Sequence, residues 1–131
     1  MIFVDTSALF ASIVSSDPNF QAVNDWLDGN TERLIATDYV IDEILTLLRA
    51  RGYRSRALAL GRDFFEGDLA KIEWVGRPDV EAAWTVYRDY SDKDWSFTDC
   101  VSKVVMERLG ITTALSTDHH FRQFGSIQIV P

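Results

Sequence analysis

The chain has 131 residues, 47% of them apolar, which is the size of one domain with a sizeable core. Its net charge of −7 excludes a protein that grips nucleic acid by overall basicity, although not one with a local basic patch. A lone cysteine, Cys100, excludes an internal disulfide, and the absence of a secretory-type leader or an 18-residue apolar run sets the expectation of a cytoplasmic protein with no membrane association.

In chain order, β-branched and apolar runs predict strands over Ile2 to Val4, Leu34 to Ala36, Lys71 to Val75, Thr113 to Ser116 and Ile127 to Val130. Helical periods fall between them. Asp17-Pro18 offers an N-cap and a first-turn proline before Phe20, Val23 and Leu27, with Gly29 just past the end. A second helix is expected from Asp38 to Arg51, stopping at Gly52, and a third over Arg54 to Phe65 with Leu58, Gly61, Phe64 and Phe65 on one side. Pro78 opens a fourth, in which Val80, Ala83, Trp84 and Tyr87 share a face, and Thr98 to Leu109 forms a fifth that ends at Gly110. Strands separated by helical crossovers define an α/β domain with a mostly parallel sheet.

Four acids stand where carboxylates are costly. Asp5 closes Met1-Ile2-Phe3-Val4, and Glu43 shares a helix face with Val40, Ile44, Leu47 and Leu48; Asp99 opens a helix, and Asp118 follows a strand. Taken singly, Asp5 or Asp118 shapes a loop, Asp99 caps a helix and Glu43 pairs with an arginine. Together they point to a divalent-metal site, because a desolvated carboxylate costs several kcal/mol unless paired or bound to a cation. In an open parallel sheet such a site belongs outside the carboxyl ends of the strands, where the strand order reverses.

Asp5-Thr6-Ser7-Ala8-Leu9, Trp95-Ser96-Phe97-Thr98-Asp99-Cys100 and Gly110 to Phe121, with Ser116-Thr117-Asp118-His119-His120-Phe121 at its end, resemble the signatures of PIN-domain nucleases. The likeness spans nearly the whole chain, 1–131 as a single PIN domain, and is closest to the VapC-like toxins of prokaryotic toxin–antitoxin pairs. It implies a parallel five-stranded sheet of order 3-2-1-4-5, Mg2+ or Mn2+, and hydrolysis of RNA. By motif, Asp5, Glu43, Asp99 and Asp118 take the catalytic and metal positions, with Glu43 as a ligand or as the group orienting the attacking water.

Thr6, Ser7 and Thr117 are candidates to hydrogen-bond the acids, or else to cap the local turns. Arg49, Arg51, Arg54, Arg56 and Arg62 form a stretch without an acid, which leaves −12 on the rest of the chain. That patch suits RNA phosphates or a partner, or else is a solvated helix face. Apolar Leu45, Leu48, Leu58 and Leu60 among the arginines predict a partner groove and a homodimer. By resemblance the groove receives an antitoxin, whose tail is expected to extend a basic side chain to the acids. His119 and His120 are read as surface residues, Cys100 as a buried small hydrophobe, Asp92 and Asp94 as loop solvation, with tuning of the site as the alternative for Asp94, and Trp84, Tyr87 and Tyr90 as core or interface; Trp95, in a loop near Asp99, is a candidate to flank the substrate groove. A haloacid-dehalogenase-like phosphatase is disfavoured by Ser7, which stands where a second aspartate belongs, and a receiver domain by the absence of a lysine near Asp118. The alternatives are a PIN-domain RNA-processing nuclease without an antitoxin and a non-catalytic binding module.

Overall fold

Ile2, Phe3 and Val4 are all buried in succession, as expected of a strand covered on both faces. In the computed structural model, which describes residues 1–131, this strand β1 (Ile2–Val4) lies at the centre of a five-stranded sheet of order β3-β2-β1-β4-β5. The other strands are β2 (Leu34–Thr37), β3 (Lys71–Glu73), β4 (Thr113–Leu115) and β5 (Gln128–Val130), and every pairing is parallel. Phe3 is opposite Ile35 on one side and Ala114 on the other, so β1 fixes the register of both halves. The edge strands begin at the exposed residues Lys71 and Gln128, which blunts the open edges.

From β1 the chain passes through α1 (Thr6–Ile13) and α2 (Phe20–Gly29) to β2, then through α3 (Asp38–Ala50) and α4 (Arg54–Phe65) to the edge at β3. It returns through α5 (Arg77–Asp89) and α6 (Phe97–Leu109) to β4 on the far side of β1. The direction of winding therefore reverses between β1 and β4, and a ligand crevice is expected at their carboxyl ends. Asp5 and Asp118 follow those two ends.

Helix boundaries follow local chemistry. Gly110 adopts φ +68°, and beyond it the Ile111 amide bonds the Met106 carbonyl at 2.9 Å, a left-handed cap that ends α6 where expected. At α2 the start differs from expectation. Asp17 and Pro18 form a turn in which Asp17 Oδ1 accepts from the Asn19 amide at 2.8 Å, so the helix begins at Phe20 and includes Gly29. Helix α1 was not foreseen as a separate element, because Thr6, Ala8, Leu9 and Ala11 are buried around it and leave no polar stripe to set a period.

Two buried faces are rotated from those expected. In α4 the core residues are Ala57, Leu60 and Phe64, while Leu58 and Phe65 are 49% and 54% exposed. In α5 Asp79 and Ala83 are buried, with Val86 beside them, and Trp84 and Tyr87 face outward. Both spacings repeat equally well when displaced by one residue, so periodicity alone does not choose between them. Asp79 decides the case of α5: its carboxylate receives Nε and Nη2 of Arg108 on α6, each at 2.8 Å, and Arg108 Nη2 also reaches Glu73 Oε1 on β3 at 3.1 Å. This bidentate clamp ties α5, α6 and β3 together. Asp79→Ala leaves the guanidinium with Glu73 alone and is expected to cost about 1–3 kcal/mol, read as a lower urea midpoint.

Candidate metal centre

Asp5 is 3% exposed and caps α1. Its Oδ2 accepts from Ser7 Oγ at 2.6 Å, from the Ser7 amide at 3.3 Å and from Ser116 Oγ at 3.2 Å. The two serines also bind the loop after β4: the Thr117 amide donates to Ser7 Oγ and the Asp118 amide to Ser116 Oγ, each at 3.0 Å. Strand ends β1 and β4 are thus joined through a pair of hydroxyls. Ser7 acts as expected. The Thr6 hydroxyl is buried without a hydrogen-bond partner, and Thr117 contributes its backbone rather than its side chain. Ser116, which the sequence reading left out, takes the supporting place.

Asp99 is both a helix cap and a candidate site residue. As the third residue of α6 it completes a capping box: Ser96 Oγ accepts from the Asp99 amide and Asp99 Oδ2 accepts from the Ser96 amide, both at 3.0 Å. Asp118 caps the 3-10 segment His119–Phe124, its Oδ1 accepting from the His120 amide at 2.9 Å. His120 is not the surface residue expected from the sequence. Its Nδ1 lies 3.2 Å from Asp99 Oδ2 and 3.3 Å from Asp118 Oδ1, while His119 remains largely exposed. Buried Phe121 and Phe124 anchor this segment and thereby aim the ring.

The three aspartates interact as anions. Burial, only partly offset by the Ser7 hydrogen bonds, pushes the Asp5 carboxyl up to about 6, and the charges of Asp99 and Asp118 push the same way. Burial also raises Asp99, helped by Asp118 and opposed by the Ser96 amide and His120. No lysine or arginine pairs with any of the three. Each keeps one oxygen free of hydrogen bonds, Oδ1 of Asp5, Oδ1 of Asp99 and Oδ2 of Asp118, and none of these is sealed from solvent. Hard oxygen donors in excess negative charge match what a divalent cation such as Mg2+ or Mn2+ requires.

Glu43 is half-buried on α3, which packs against α1 and α6, whereas neighbouring Asp42 is exposed, as helical rotation requires. It has no arginine partner and no hydrogen bond, and Asp5, Asp99 and Asp118 are the acids whose charges act on one another. Cys100 is buried, and its thiol is pushed up to about 11 by burial and by Asp99, which leaves it inert as a nucleophile. Trp95 is buried, lies tilted against Tyr90 and edge-on to Phe124, and donates Nε1 to Gln123 at 2.7 Å, which braces the 3-10 segment.

The five arginines between 49 and 62 form no ion pair. Arg49 and Arg62 line a groove of about 650 Å³ between α3 and α4, together with Leu45, Leu58, Gly61 and Phe65. Leu48 and Leu60, expected on that surface, belong to the core.

A parallel sheet of order 3-2-1-4-5 with acids at the switch between β1 and β4 is the arrangement of a PIN domain, and the PIN domain profile matches residues 2–127: the chain belongs to this family. Among its relatives is Ribonuclease VapC26 of Mycobacterium tuberculosis, 27% identical over 121 residues that cover 92% of this chain and 89% of the relative. The 23S rRNA-specific endonuclease VapC20 of the same organism is 27% identical and aligns over 100% of this chain and 99% of its own. The crystal structure of M. tuberculosis VapC20, described as a Sarcin-Ricin loop cleaving toxin, superposes with a TM-score of 0.92 at 26% identity and full coverage of both chains. FitAcB from Neisseria gonorrhoeae shares the fold, with a TM-score of 0.73 at 15% identity, over 100% of this chain and 97% of that one.

Proposed function

We propose that this chain, as one PIN domain, is a divalent-metal-dependent endoribonuclease and the toxin of a toxin–antitoxin pair. The observation that carries the reading is that Asp5, Asp99 and Asp118 are tied to one another through Ser7, Ser116 and His120 with no lysine or arginine to neutralise them. The likeness to VapC26 and VapC20, a ribonuclease and an rRNA endonuclease, supports RNA as the substrate class.

In this reading the three aspartates would hold Mg2+ or Mn2+, and Glu43 would supply a further ligand or orient the attacking water. The bound cation supplies charge neutralisation at the phosphate and a water of lowered pKa. Ser7 and Ser116 occupy Asp5 Oδ2, which fixes the carboxylate's rotation and leaves Oδ1 without a hydrogen bond. The Ser96 amide does the same for Asp99. Purified protein is expected to cleave RNA with Mg2+ or Mn2+ and to stop in chelator; cleavage that continues unchanged in chelator, with contaminating nuclease excluded, would remove the metal from the mechanism.

The antitoxin belongs in the α3–α4 groove, where exposed Leu58 and Phe65 stand beside unpaired Arg49 and Arg62. Leu58→Asp places a charge on that wall without disturbing the core. It is expected to weaken binding of the adjacent gene's product by at least about ten-fold, while RNA cleavage and the unfolding midpoint stay at parental values. Complex formation measured by calorimetry, and growth on coexpression, read the effect. Absence of any complex with the parent chain would favour the antitoxin-free processing nuclease. The homodimer belongs to the same reading: Trp84 and Tyr87 on α5, stacked at 6.1 Å and exposed, supply apolar surface outside the groove. No helix is long and apolar enough to cross a membrane, and a cytoplasmic setting is where this chemistry meets its RNA.

A further inference from the structure

His120 occupies an unusual place for a residue that follows a surface-type turn. Its Nδ1 is within hydrogen-bond distance of oxygens on two carboxylates that repel each other, Asp99 on α6 and Asp118 after β4. Ionised carboxylate oxygens only accept, so this nitrogen carries the hydrogen and donates it to Asp99 Oδ2, while the His120 backbone amide donates to Asp118 Oδ1 at 2.9 Å. The ring is mostly buried and its backbone is anchored by the Phe121 and Phe124 side chains. Asp118, by contrast, is partly exposed, and its remaining side-chain bonds come from the His120 amide of its own turn. Without the imidazole nothing in the protein links its carboxylate to that of Asp99.

We propose that His120 is a positioning residue: its Nδ1–H bonds Asp99 Oδ2 while the same ring nitrogen stays 3.3 Å from Asp118 Oδ1, which the His120 backbone amide holds, and so it keeps the two carboxylates at a spacing where their other oxygens can bind one divalent cation. This rests on the metal-dependent reading of the site and adds to it a residue outside the acidic quartet. Ring and amide together engage Asp99 Oδ2 and Asp118 Oδ1 and leave Asp99 Oδ1 and Asp118 Oδ2 without hydrogen bonds, so in this arrangement the ring orients ligands without being one. Partners that orient metal ligands in this way typically contribute ten- to a hundred-fold in metal affinity, about 1.4–2.7 kcal/mol.

Mn2+ binding to the RNA-free protein, followed by calorimetry and by spin-echo spectroscopy of the bound ion, tests the proposal. An asparagine amide reaches the position of Nδ1, whereas a glutamine amide reaches that of Nε2. His120→Gln is therefore expected to lower Mn2+ affinity about ten-fold or more, His120→Asn to keep it within a few-fold of the parent, and His119→Ala to leave it unchanged. The bound Mn2+ of the parent should show no nitrogen modulation. Parental affinity in His120→Gln, failure of His120→Asn to restore it, or nitrogen coupling to Mn2+, which would make the ring a ligand, overturns the proposal. If the parent itself binds no Mn2+, the metal reading falls first and this one with it, and the two failures are told apart by that measurement.

Discussion

Asp99→Asn is expected to reduce RNA cleavage by on the order of a thousand-fold, about 4 kcal/mol of transition-state stabilisation, with the helix it caps still formed. The two roles of Asp99 separate cleanly. An asparagine oxygen can still accept from the Ser96 amide, so the capping box survives; the charge that binds the cation does not. Asp5→Asn should behave alike, because Ser7 and Ser116 donate to one oxygen whether or not the group is charged. Single-turnover cleavage with saturating Mn2+, compared with the unfolding midpoint of the same samples, separates lost chemistry from lost fold. A variant that cuts at the parental rate would strike that aspartate from the site.

The second large effect is on stability. Asp5 has a folded-state pKa of about 6 against 3.8 for a free carboxyl, so the folded protein binds this proton more tightly than the unfolded chain. Its contribution is most favourable below about pH 4 and is lost as the pH rises through about 6, where the folded state must hold a buried anion. The difference corresponds to about 3 kcal/mol. Asp99 shifts in the same direction. In chelator, Asp5→Asn is therefore expected to match the parent near pH 4 and to exceed it in stability at pH 7. Adding Mn2+ at pH 7 should stabilise the parent, since a ligand that binds only the folded state raises its unfolding free energy, and should do far less for Asp5→Asn. Urea titrations of both proteins at several pH values, with and without the ion, give the full comparison. A parent whose stability is unaffected by Mn2+ would separate the acidic cluster from metal binding.

Much of the frame was legible in the sequence because its signals are local. Short β-branched runs bounded by turns located all five strands, and Gly110, which alone among residue types accepts φ +68° without strain, marked the end of α6. Alternation of strand and helix gave the parallel sheet; the resemblance, rather than periodicity, gave its order. The rotated faces of α4 and α5 were not legible, since a repeat at i, i+3 and i+7 fits two adjacent stripes, and the buried Asp79 is explained only by Arg108, 29 residues away. The same limit governs the site. Asp5, Asp99 and Asp118 could be placed because each adjoins the end of an element, but Ser116 and His120 gain their roles from contacts across the sheet, 111 and 21 residues distant in sequence. The trace that pointed to His120 was its adjacency to Asp118 just ahead of buried Phe121. Glu43, in mid-helix with no partner to hold it, keeps its assignment from motif and helical face, and its side chain is the one the metal would have to recruit.

Anomalous diffraction from crystals of the protein soaked in Mn2+ locates the cation itself. A peak is expected within coordination distance of the Asp5, Asp99 and Asp118 carboxylates, about 2 Å from at least two of them with water completing the link to the third, and loss of that peak in Asp99→Asn. A peak elsewhere on the molecule, with the three carboxylates left unliganded under the same Mn2+ concentration, would contradict the assignment of the metal to this site.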